Sequence, residues 1–384
     1  MLFTFCISIF ICMVCTDDKI LKFPLVERIG TYDICIPFGY PSHNIFLEID
    51  MSISFMWLGV YRNLPNNVKV IASNISIYFP YITVQGDLYL TDIILNNSLS
   101  SSDNKIILKN FPFYLVDSRN ISTFDSFPLG RQIFNESFSI IHSLYNDHLI
   151  NKKSFALYYD KLNHNSWLYI GGIPKDIIYN KSYNASCPIN QTNPSQWTCT
   201  LNSIIIQSNE TETYINKYPM IFQSNIEFIL APYDFISFIN KTIFSKYYIH
   251  NNACHIYQSI NSYTAKCNLS LINSFPNISF IINNTYFTFS QNDLFDDNYF
   301  IIMLNEDNEN EWKLGIKFLS KYISYFDYET NTVSFYNSVP FKSLQSTSQI
   351  SFHNIKSLIF INIILISICS IQIFLLKIKL IKQQ

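Results

Sequence analysis

The feature that most restricts the fold is a succession of short apolar runs, rich in β-branched and aromatic residues, that extends from about residue 23 to 340. Asn, Ser, Asp and Pro interrupt these runs before most of them reach the length of a helix. Such a density of short runs is typical of strands and predicts a mainly β protein. The clearest predicted strands are 32–36, 44–49, 75–79, 154–159, 167–170, 203–207, 278–282 and 332–336, and the short predicted helices are 138–149, 233–244 and 316–321.

Glycine is scarce, with 8 residues in a chain of 384, and no two glycines stand two or five positions apart. The dinucleotide fingerprint, the phosphate loop and the Gly-x-Ser-x-Gly elbow all need glycine at fixed offsets, so these sites are excluded. No histidine is followed by Glu, which also excludes the zinc-protease helix motif. A formal charge of -2, without a basic run in the body of the chain, gives no electrostatic footprint for nucleic acid. We therefore expect no cofactor, no metal and no nucleic-acid partner.

The N-terminus has the composition of a secretory signal. Residues 2–14 are apolar and end shortly before Asp17 and Asp18, so 1–16 is predicted to be a signal peptide. The positive residue that usually precedes such a core is missing, and a buried first strand is the alternative interpretation.

The C-terminus has the composition of a membrane anchor. Residues 357–376 are uncharged and rich in Ile and Leu, long enough to cross about 30 Å of hydrocarbon as a helix. A lysine cluster follows directly, which places 377–384 in the cytosol by the positive-inside rule. The Ser- and Gln-containing stretch 342–356 is interpreted as a stalk. We expect a single-pass type I membrane protein with a lumenal or extracellular ectodomain.

Asparagine and cysteine usage fit that compartment. About a dozen Asn-x-Ser/Thr sequons lie between the two ends, among them Asn74, Asn96, Asn120, Asn135 and Asn283, and they indicate a glycoprotein.

The cysteines of the body allow two short disulfide-closed loops. Cys187 with Cys199, and Cys254 with Cys267, are each close enough in sequence to form one, which leaves Cys35 as an odd, buried thiol. A metal site formed by Cys254 and Cys267 with His250 and His255 is the alternative, but an oxidising compartment favours the disulfide.

Three segments, in order along the chain, resemble the pepsin-like aspartic peptidases. Residues 38–57 are similar to that family's Gly-x-Pro-x-Gln hairpin, its first Asp-Thr-Gly-Ser-Ser loop and the Trp seven residues after the Asp. Residues 221–233 match the apolar frame of the second catalytic loop, and 312–337 resemble the closing Leu-Gly-x-x-Phe-Leu segment and final strand. Cys254 and Cys267 also fall where the family commonly has a disulfide of its second lobe. The chain is therefore identified as a degenerate member of this family.

The resemblance implies a bilobal β fold, with lobes at 17–172 and 173–341, and a catalytic pair of aspartates between them. Asp50 fills the first catalytic position, but Gln223 fills the second, and an amide does not titrate. The family's mechanism needs two carboxylates that share one proton, so that one activates water and the other protonates the peptide carbonyl.

Positions that support this pair differ as well. Ser52 and Asn225 replace the glycines of the two loops, and they are expected to crowd the contact between the loops or to require new partners. Ile53 and Ile226 replace the hydroxyl residues that hydrogen-bond the carboxylates.

The flap that covers the cleft in this family is altered in the same way. Phe79 stands where the family has its flap tyrosine, with Tyr78 and Tyr81 as alternatives in a shifted alignment.

Three other acidic residues match family positions or lie near the dyad. Glu227, four residues after Gln223, is a conceivable displaced acid, although a carboxylate on the rim of the cleft is the favoured interpretation. Asp125 and Asp327 are expected to be structural partners of turns or of the lobe interface.

The sequence thus predicts a monomeric, membrane-anchored pepsin homologue that is catalytically inactive and binds a peptide or protein between its lobes. An active, atypical aspartic endopeptidase and a structural surface glycoprotein are the alternatives.

Overall fold

A computed structural model describes residues 19–28, 30–38, 43–59, 68–78, 83–96, 105–116, 125–131, 138–159, 165–178, 185–188, 196–207, 211–215, 217–248, 253–258, 263–268, 272–305 and 310–337. Both lobes lie within one compact unit, Met1–Pro174 with Asn180–Asn337. Of the second unit, Lys175–Tyr179 with Ser338–Gln384, the structure describes only residues 175–178.

The described residues of the first lobe form ten strands and one helix. The strands are β1 (Leu21–Arg28), β2 (Thr31–Phe38), β3 (His43–Asp50), β4 (Trp57–Gly59), β5 (Lys69–Tyr78), β6 (Thr83–Asn96), β7 (Lys105–Val116), β8 (Ser126–Pro128), β9 (Ser154–Tyr158) and β10 (Ser166–Ile170). Helix α1 (Ile140–Asn146) starts at Ser139, whose hydroxyl accepts a hydrogen bond from the backbone N–H of His142. Such a cap satisfies one of the four N–H groups that a helix start leaves open.

The second part of the chain is also mainly β. Its strands are β11 (Ala185–Pro188), β12 (Thr198–Gln207), β13 (Thr211–Tyr214), β14 (Pro219–Phe222), β15 (Ile229–Ala231), β16 (Cys254–Gln258), β17 (Tyr263–Cys267), β18 (Asn277–Ile282), β19 (Thr285–Phe289), β20 (Phe295–Asp296), β21 (Tyr299–Phe300), β22 (Ile302–Leu304), β23 (Trp312–Leu314), β24 (Ile323–Asp327) and β25 (Thr332–Tyr336). Its helices are α2 (Tyr233–Ile239), which continues as a π-helix over Asn240–Tyr248, α3 (Gln291–Leu294) and α4 (Ile316–Leu319). All eight strands and all three helices predicted from the sequence are confirmed, with shifted ends.

Three sheets organise these strands. The largest has the order β11-β25-β24-β9-β10-β1-β2-β3-β8-β4-β7-β6-β5, so three strands from the second part of the chain extend the sheet of the first lobe. The second sheet has the order β19-β18-β12-β14-β23-β15-β22, with β13 on β12, and the third has the order β16-β17-β21-β20.

Alternation along β2 and β3 shows why these segments are strands. One face carries aliphatic and aromatic side chains that are buried in the core, among them Ile34, Leu47 and Ile49. The other face carries Asp33, Cys35, Phe46, Glu48 and Asp50. A period of two with one fully apolar face is what a half-buried strand requires.

An aromatic cluster joins the first lobe to the end of the chain. Phe155 of β9 stacks on Phe326 of β24 with ring centroids 4.7 Å apart, and Trp197 meets Tyr328 edge to face at 4.8 Å. Aromatic pairs in these geometries contribute about 0.5–1.5 kcal/mol beyond the area that they bury.

Both predicted disulfides are confirmed: Cys187 is bonded to Cys199, and Cys254 to Cys267 across β16 and β17. The second bond rules out the alternative metal site that used these two cysteines. Cys35 is a free thiol, as predicted, but it is only partly buried, and burial raises its pKa. Two disulfides are typical of secreted or lumenal proteins.

Within the described part of the chain, no helix has both the length and the hydropathy needed to cross a bilayer. The predicted signal peptide, stalk, transmembrane segment and cytosolic tail, at 1–16, 342–356, 357–376 and 377–384, lie outside the described residues.

Candidate active site

The two predicted dyad positions lie at equivalent places in the two lobes. Asp50 ends β3, which runs parallel to β8, and Gln223 directly follows β14, which runs parallel to β23. In each lobe a third strand, β4 or β15, pairs antiparallel to the middle strand. This strand arrangement, repeated in both lobes, places each loop at the end of a strand inside its sheet.

Backbone hydrogen bonds fix each loop at its root. The N–H of Leu129 donates to the carbonyl oxygen of Asp50 at 2.8 Å, and the N–H of Gln223 donates to that of Leu314 at 3.1 Å. Leu129 is tied in turn to the end of the chain, because its carbonyl accepts hydrogen bonds from the indole of Trp197 at 2.8 Å and the hydroxyl of Tyr328 at 3.1 Å.

One glycine in each lobe permits a close crossing of backbone next to the loop. A Cβ on Gly130 would lie 2.6 Å from the carbonyl carbon of Ile53, and one on Gly315 would lie 2.3 Å from the carbonyl oxygens of Ile226 and Phe228. No side chain fits at either place, so both positions require glycine.

A side-chain hydrogen bond joins the two loops across the lobes. The hydroxyl of Ser224 donates to the carbonyl oxygen of Ile49 at 2.5 Å. Because Ser224 follows Gln223 and Ile49 precedes Asp50, this bond brings the two predicted dyad positions to one point between the lobes. The residue of the first loop that corresponds to Ser224 is Met51. Met51 has no hydroxyl, so it cannot donate the equivalent hydrogen bond to the second loop.

Asp50 is buried, with 7% of its surface exposed, and it is held by Ser52. The backbone N–H and the hydroxyl of Ser52 both donate to Asp50 Oδ1, at 2.8 and 2.6 Å. Burial raises the pKa of Asp50, while these hydrogen bonds act in the opposite direction. Ser52 was expected to need a new partner in place of the missing glycine, and Asp50 is that partner.

Ile53, where the family has a hydroxyl, packs instead under the hairpin of β5 and β6. It belongs to a small apolar cluster with Trp57, Ile77, Val84 and Val116. Side-chain support of the carboxylate has therefore moved from residue 53 to residue 52. The backbone of Ile53 still hydrogen-bonds Asp50, and its side chain packs under the β5–β6 hairpin.

Gln223 is more deeply buried than Asp50, with 3% of its surface exposed. Among the described residues, neither its Oε1 nor Oδ1 of Asn225 has a hydrogen-bond donor, although both atoms are shielded from solvent. The second loop thus keeps its backbone frame but presents two unpaired carbonyl oxygens where the family has a carboxylate and a glycine.

Glu48 and Asp33 were not predicted from the sequence, although they lie beside Asp50. Strand alternation places Glu48 on the same face as Asp50, and Glu48 is directly opposite Asp33 in the β2–β3 register. Burial and the carboxylates of Asp50 and Asp33 raise the pKa of Glu48 to about 8. The alternation of Phe, Glu and Asp with Leu and Ile in 46–50 could have indicated that Glu48 shares a strand face with Asp50. The position of Asp33 opposite Glu48 depends on the β2–β3 register, which the sequence does not give.

Asp33 differs from Glu48 because it has a cation. Arg28 Nη1 lies 2.9 Å from Asp33 Oδ2, and Arg28 is itself half exposed. Burial still raises the pKa of Asp33, against the effect of this arginine.

The remaining predicted residues have structural partners or lie outside the described residues. Glu227 forms an ion pair with Lys317 at 3.2 Å and packs against Gly30, which agrees with a partnered carboxylate and not with a displaced acid. Asp125 accepts the N–H of Gly59, and Asp327 accepts those of Glu329 and Thr330, so both are structural as predicted. Phe79 and Tyr81 lie outside the described residues, and Tyr78 is described only as the end of β5.

Comparison with known proteins agrees with this geometry. Residues 123–338, more than half of the chain, match the family described as eukaryotic aspartyl protease. The fold is similar to that of the aspartic proteinase from Irpex lacteus, with a TM-score of 0.65, 14% sequence identity, and coverage of 83% of this chain and 97% of that one. A search of curated proteins gives no match. The chain belongs to the eukaryotic aspartyl protease family.

Proposed function

We propose that this chain is a non-catalytic member of its family that binds a peptide or protein between its two lobes. The observation that carries the proposal is the Gln223 amide on the loop that the Ser224 bond joins to the Asp50 loop. Peptide hydrolysis by an aspartate pair needs one ionised and one protonated carboxyl group. The Gln223 amide supplies neither.

The loss is large because the two carboxyl groups work as a unit. Removal of one acid or base partner usually lowers the rate about 10²- to 10⁴-fold, and residues that act together lose more than their separate effects suggest. Binding has no such requirement. The strands that carry both loops, and the β5–β6 hairpin above them, are present and support a binding cleft.

Incubation of the full-length protein with denatured haemoglobin at acid pH tests the proposal. We expect no cleavage beyond that of the matched Asp50→Asn variant. Cleavage that Asp50→Asn abolishes, and that a transition-state peptide inhibitor blocks, would contradict it.

One observation favours the second candidate, an atypical aspartic endopeptidase. Glu48 and Asp50 share one strand face, and the pKa of Glu48 is raised to about 8, so between pH 5 and about 7 a carboxylic acid would stand next to the Asp50 carboxyl. If cleavage is found, Glu48→Gln separates the two candidates, because only a Glu48-dependent pair would lose activity in that variant.

We also propose that the protein is a glycosylated, type I membrane protein of the secretory pathway. The support is the apolar segments 1–16 and 357–376, the sequons and the two disulfides. Protection of the body from protease in sealed microsomes, with a shift in mass on glycosidase treatment, is the expected result.

A further inference from the structure

The first-lobe side of the candidate site carries two buried carboxyl groups, Glu48 and Asp50, that no cation of the described ion pairs compensates. Among the ion pairs of the described residues, Arg28 compensates Asp33, but none includes Glu48 or Asp50. Glu48 is as buried as Asp50, with 7% of its surface exposed. Burial of an unpaired carboxylate is costly, so a cation placed between these two groups would be strongly stabilised.

The second-lobe side supplies an independent signal. Gln223 is more than nine-tenths buried, and its Oε1 has no donor among the described residues; the same holds for Oδ1 of Asn225. The Ser224 bond to Ile49 holds this loop against the Asp50 loop, so the buried Gln223 amide lies in the loop that contacts the Asp50 loop. A buried acceptor without a donor costs about 1–3 kcal/mol, which a ligand carrying N–H donors would recover.

The other charged groups near Asp50 and Gln223 do not pair with the Glu48 and Asp50 carboxyl groups. Asp125, directly before β8, raises the pKa of Asp33 and accepts the N–H of Gly59. Lys313 on β23 is the buried cation of the second lobe, beside Ile221 and Leu230. The pKa shifts of Glu48 and Asp50 arise from burial, from Ser52 and Ile53, and from first-lobe carboxylates, so Lys313 does not act as their counter-ion.

We propose that the point between Asp50 and Gln223 binds the guanidinium group of an arginine side chain of a peptide ligand. Carboxyl groups on one wall and amide carbonyls on the other make a site with acceptors on two sides, and a bound cation would favour the ionised form of the carboxyl groups. Guanidinium has five N–H donors in a planar fork and remains charged, whereas ammonium has three donors on a point charge. Arginine therefore satisfies more of these acceptors than lysine. The proposal rests on the proposed peptide-binding function and names its ligand class.

Binding of matched fluorescent octapeptides to the full-length protein tests this assignment. The probes have one alanine-rich sequence with arginine, lysine, citrulline or leucine at a single central position, and citrulline keeps the shape of arginine without its charge. We expect the arginine peptide to bind at least about 10-fold more tightly than the citrulline peptide, with lysine between them. Glu48→Gln should reduce the arginine preference several-fold, while Glu329→Gln, which removes an exposed carboxylate, should leave it unchanged.

The outcomes separate the two proposals. Equal binding of arginine and citrulline peptides, or tighter binding of the leucine peptide, would overturn the guanidinium site and leave peptide binding intact. Failure of all four peptides to bind a folded protein would count against peptide binding itself. An arginine preference that survives Glu48→Gln in a variant with an unchanged unfolding temperature would also refute the assignment.

Discussion

The first and second loops of the candidate site share a backbone frame and differ in their polar side chains. Each follows the end of a strand in a parallel pair, and each lies against a glycine, Gly130 or Gly315, that the crossing backbone requires. In the first loop the carboxylate has gained a donor in Ser52. In the second loop the amides of Gln223 and Asn225 have unpaired acceptors among the described residues.

This contrast separates what the fold requires from what the chemistry requires. The frame depends on Gly130 and Gly315, which lie against the two loops, and on apolar strand residues, and all of these are present. The family's reaction depends on two carboxyl groups in matched environments, and only the first loop has a carboxyl group. A chain can therefore keep the scaffold of a peptidase while one loop becomes a set of hydrogen-bond acceptors.

The largest effect is expected where the second loop is made chemically equal to the first. Gln223→Asp restores a carboxyl group next to Asp50, and proximity of the two should drive their pKa values apart so that they share one proton. We expect cleavage of denatured haemoglobin at acid pH to rise at least about 10²-fold, the lower end of the usual effect of an acid or base partner. The double variant Asp50→Asn with Gln223→Asp is the control and should be inactive. If Gln223→Asp alone stays inactive while folded, Asn225, Ile226 or the flap also blocks the reaction.

The shared frame predicts equal sensitivity of the two loops to added volume. Gly315→Ala and Gly130→Ala each force a methyl group against backbone atoms that cannot move aside. We expect each to lower the free energy of unfolding by about 3 kcal/mol or more, at the upper end of overpacking effects. Urea unfolding of both variants beside Lys241→Ala, on an exposed helical position, measures this. A loss below about 1 kcal/mol in one lobe only would show that its loop does not need the close crossing.

The parts of this arrangement differ in how far the sequence predicts them. The strand that ends at Asp50 follows from residue periodicity, and the two disulfides from short cysteine spacing, because both signals are local. The strands beside Gln223 were indicated only by the family resemblance of 221–233 and 312–337. For Ser52 the sequence predicted either crowding of the loop or a new partner, but it did not identify the Asp50 carboxyl group as that partner. Entry of β24 into the first sheet, and the pairing of Asp33 with Glu48, depend on register between separate strands, which residue periodicity alone does not set.

The carboxyl groups of the first loop predict a pH dependence that the second loop lacks. In the folded state the pKa of Glu48 is raised from 4.5 to about 8, so between these values the folded protein holds a proton that the unfolded chain has released. Stability from this group is therefore present at pH 4.5 and below and is lost as the pH rises toward 8. At about 1.4 kcal/mol per unit, the loss between pH 5 and 8 is roughly 2–4 kcal/mol.

Glu48→Gln tests this pH dependence because it removes the titration and keeps the shape of the side chain. Urea unfolding at pH 5, 6.5 and 8 should show a flatter profile for Glu48→Gln than for the wild type, while Glu329→Gln should follow the wild type. A wild-type profile that is flat or rises over this range would show that Glu48 is ionised in the folded protein.

The smallest effects are expected from the two serines, and they distinguish support within a loop from support between loops. Ser52→Ala removes a hydrogen-bond donor from the Asp50 carboxyl group. Loss of a hydrogen bond to a charged group lowers the free energy of unfolding by about 1.5–3 kcal/mol, so the loss is larger when Asp50 is ionised than when it is protonated. Ser224→Ala removes a bond to the uncharged carbonyl of Ile49, worth about 1 kcal/mol at any pH. Urea unfolding should therefore give a pH-dependent loss for Ser52→Ala, larger at pH 8 than at pH 4, and a constant loss for Ser224→Ala. The same pH-independent loss in both variants would mean that Asp50 keeps its proton throughout, in which case the first loop is as uncharged as the second.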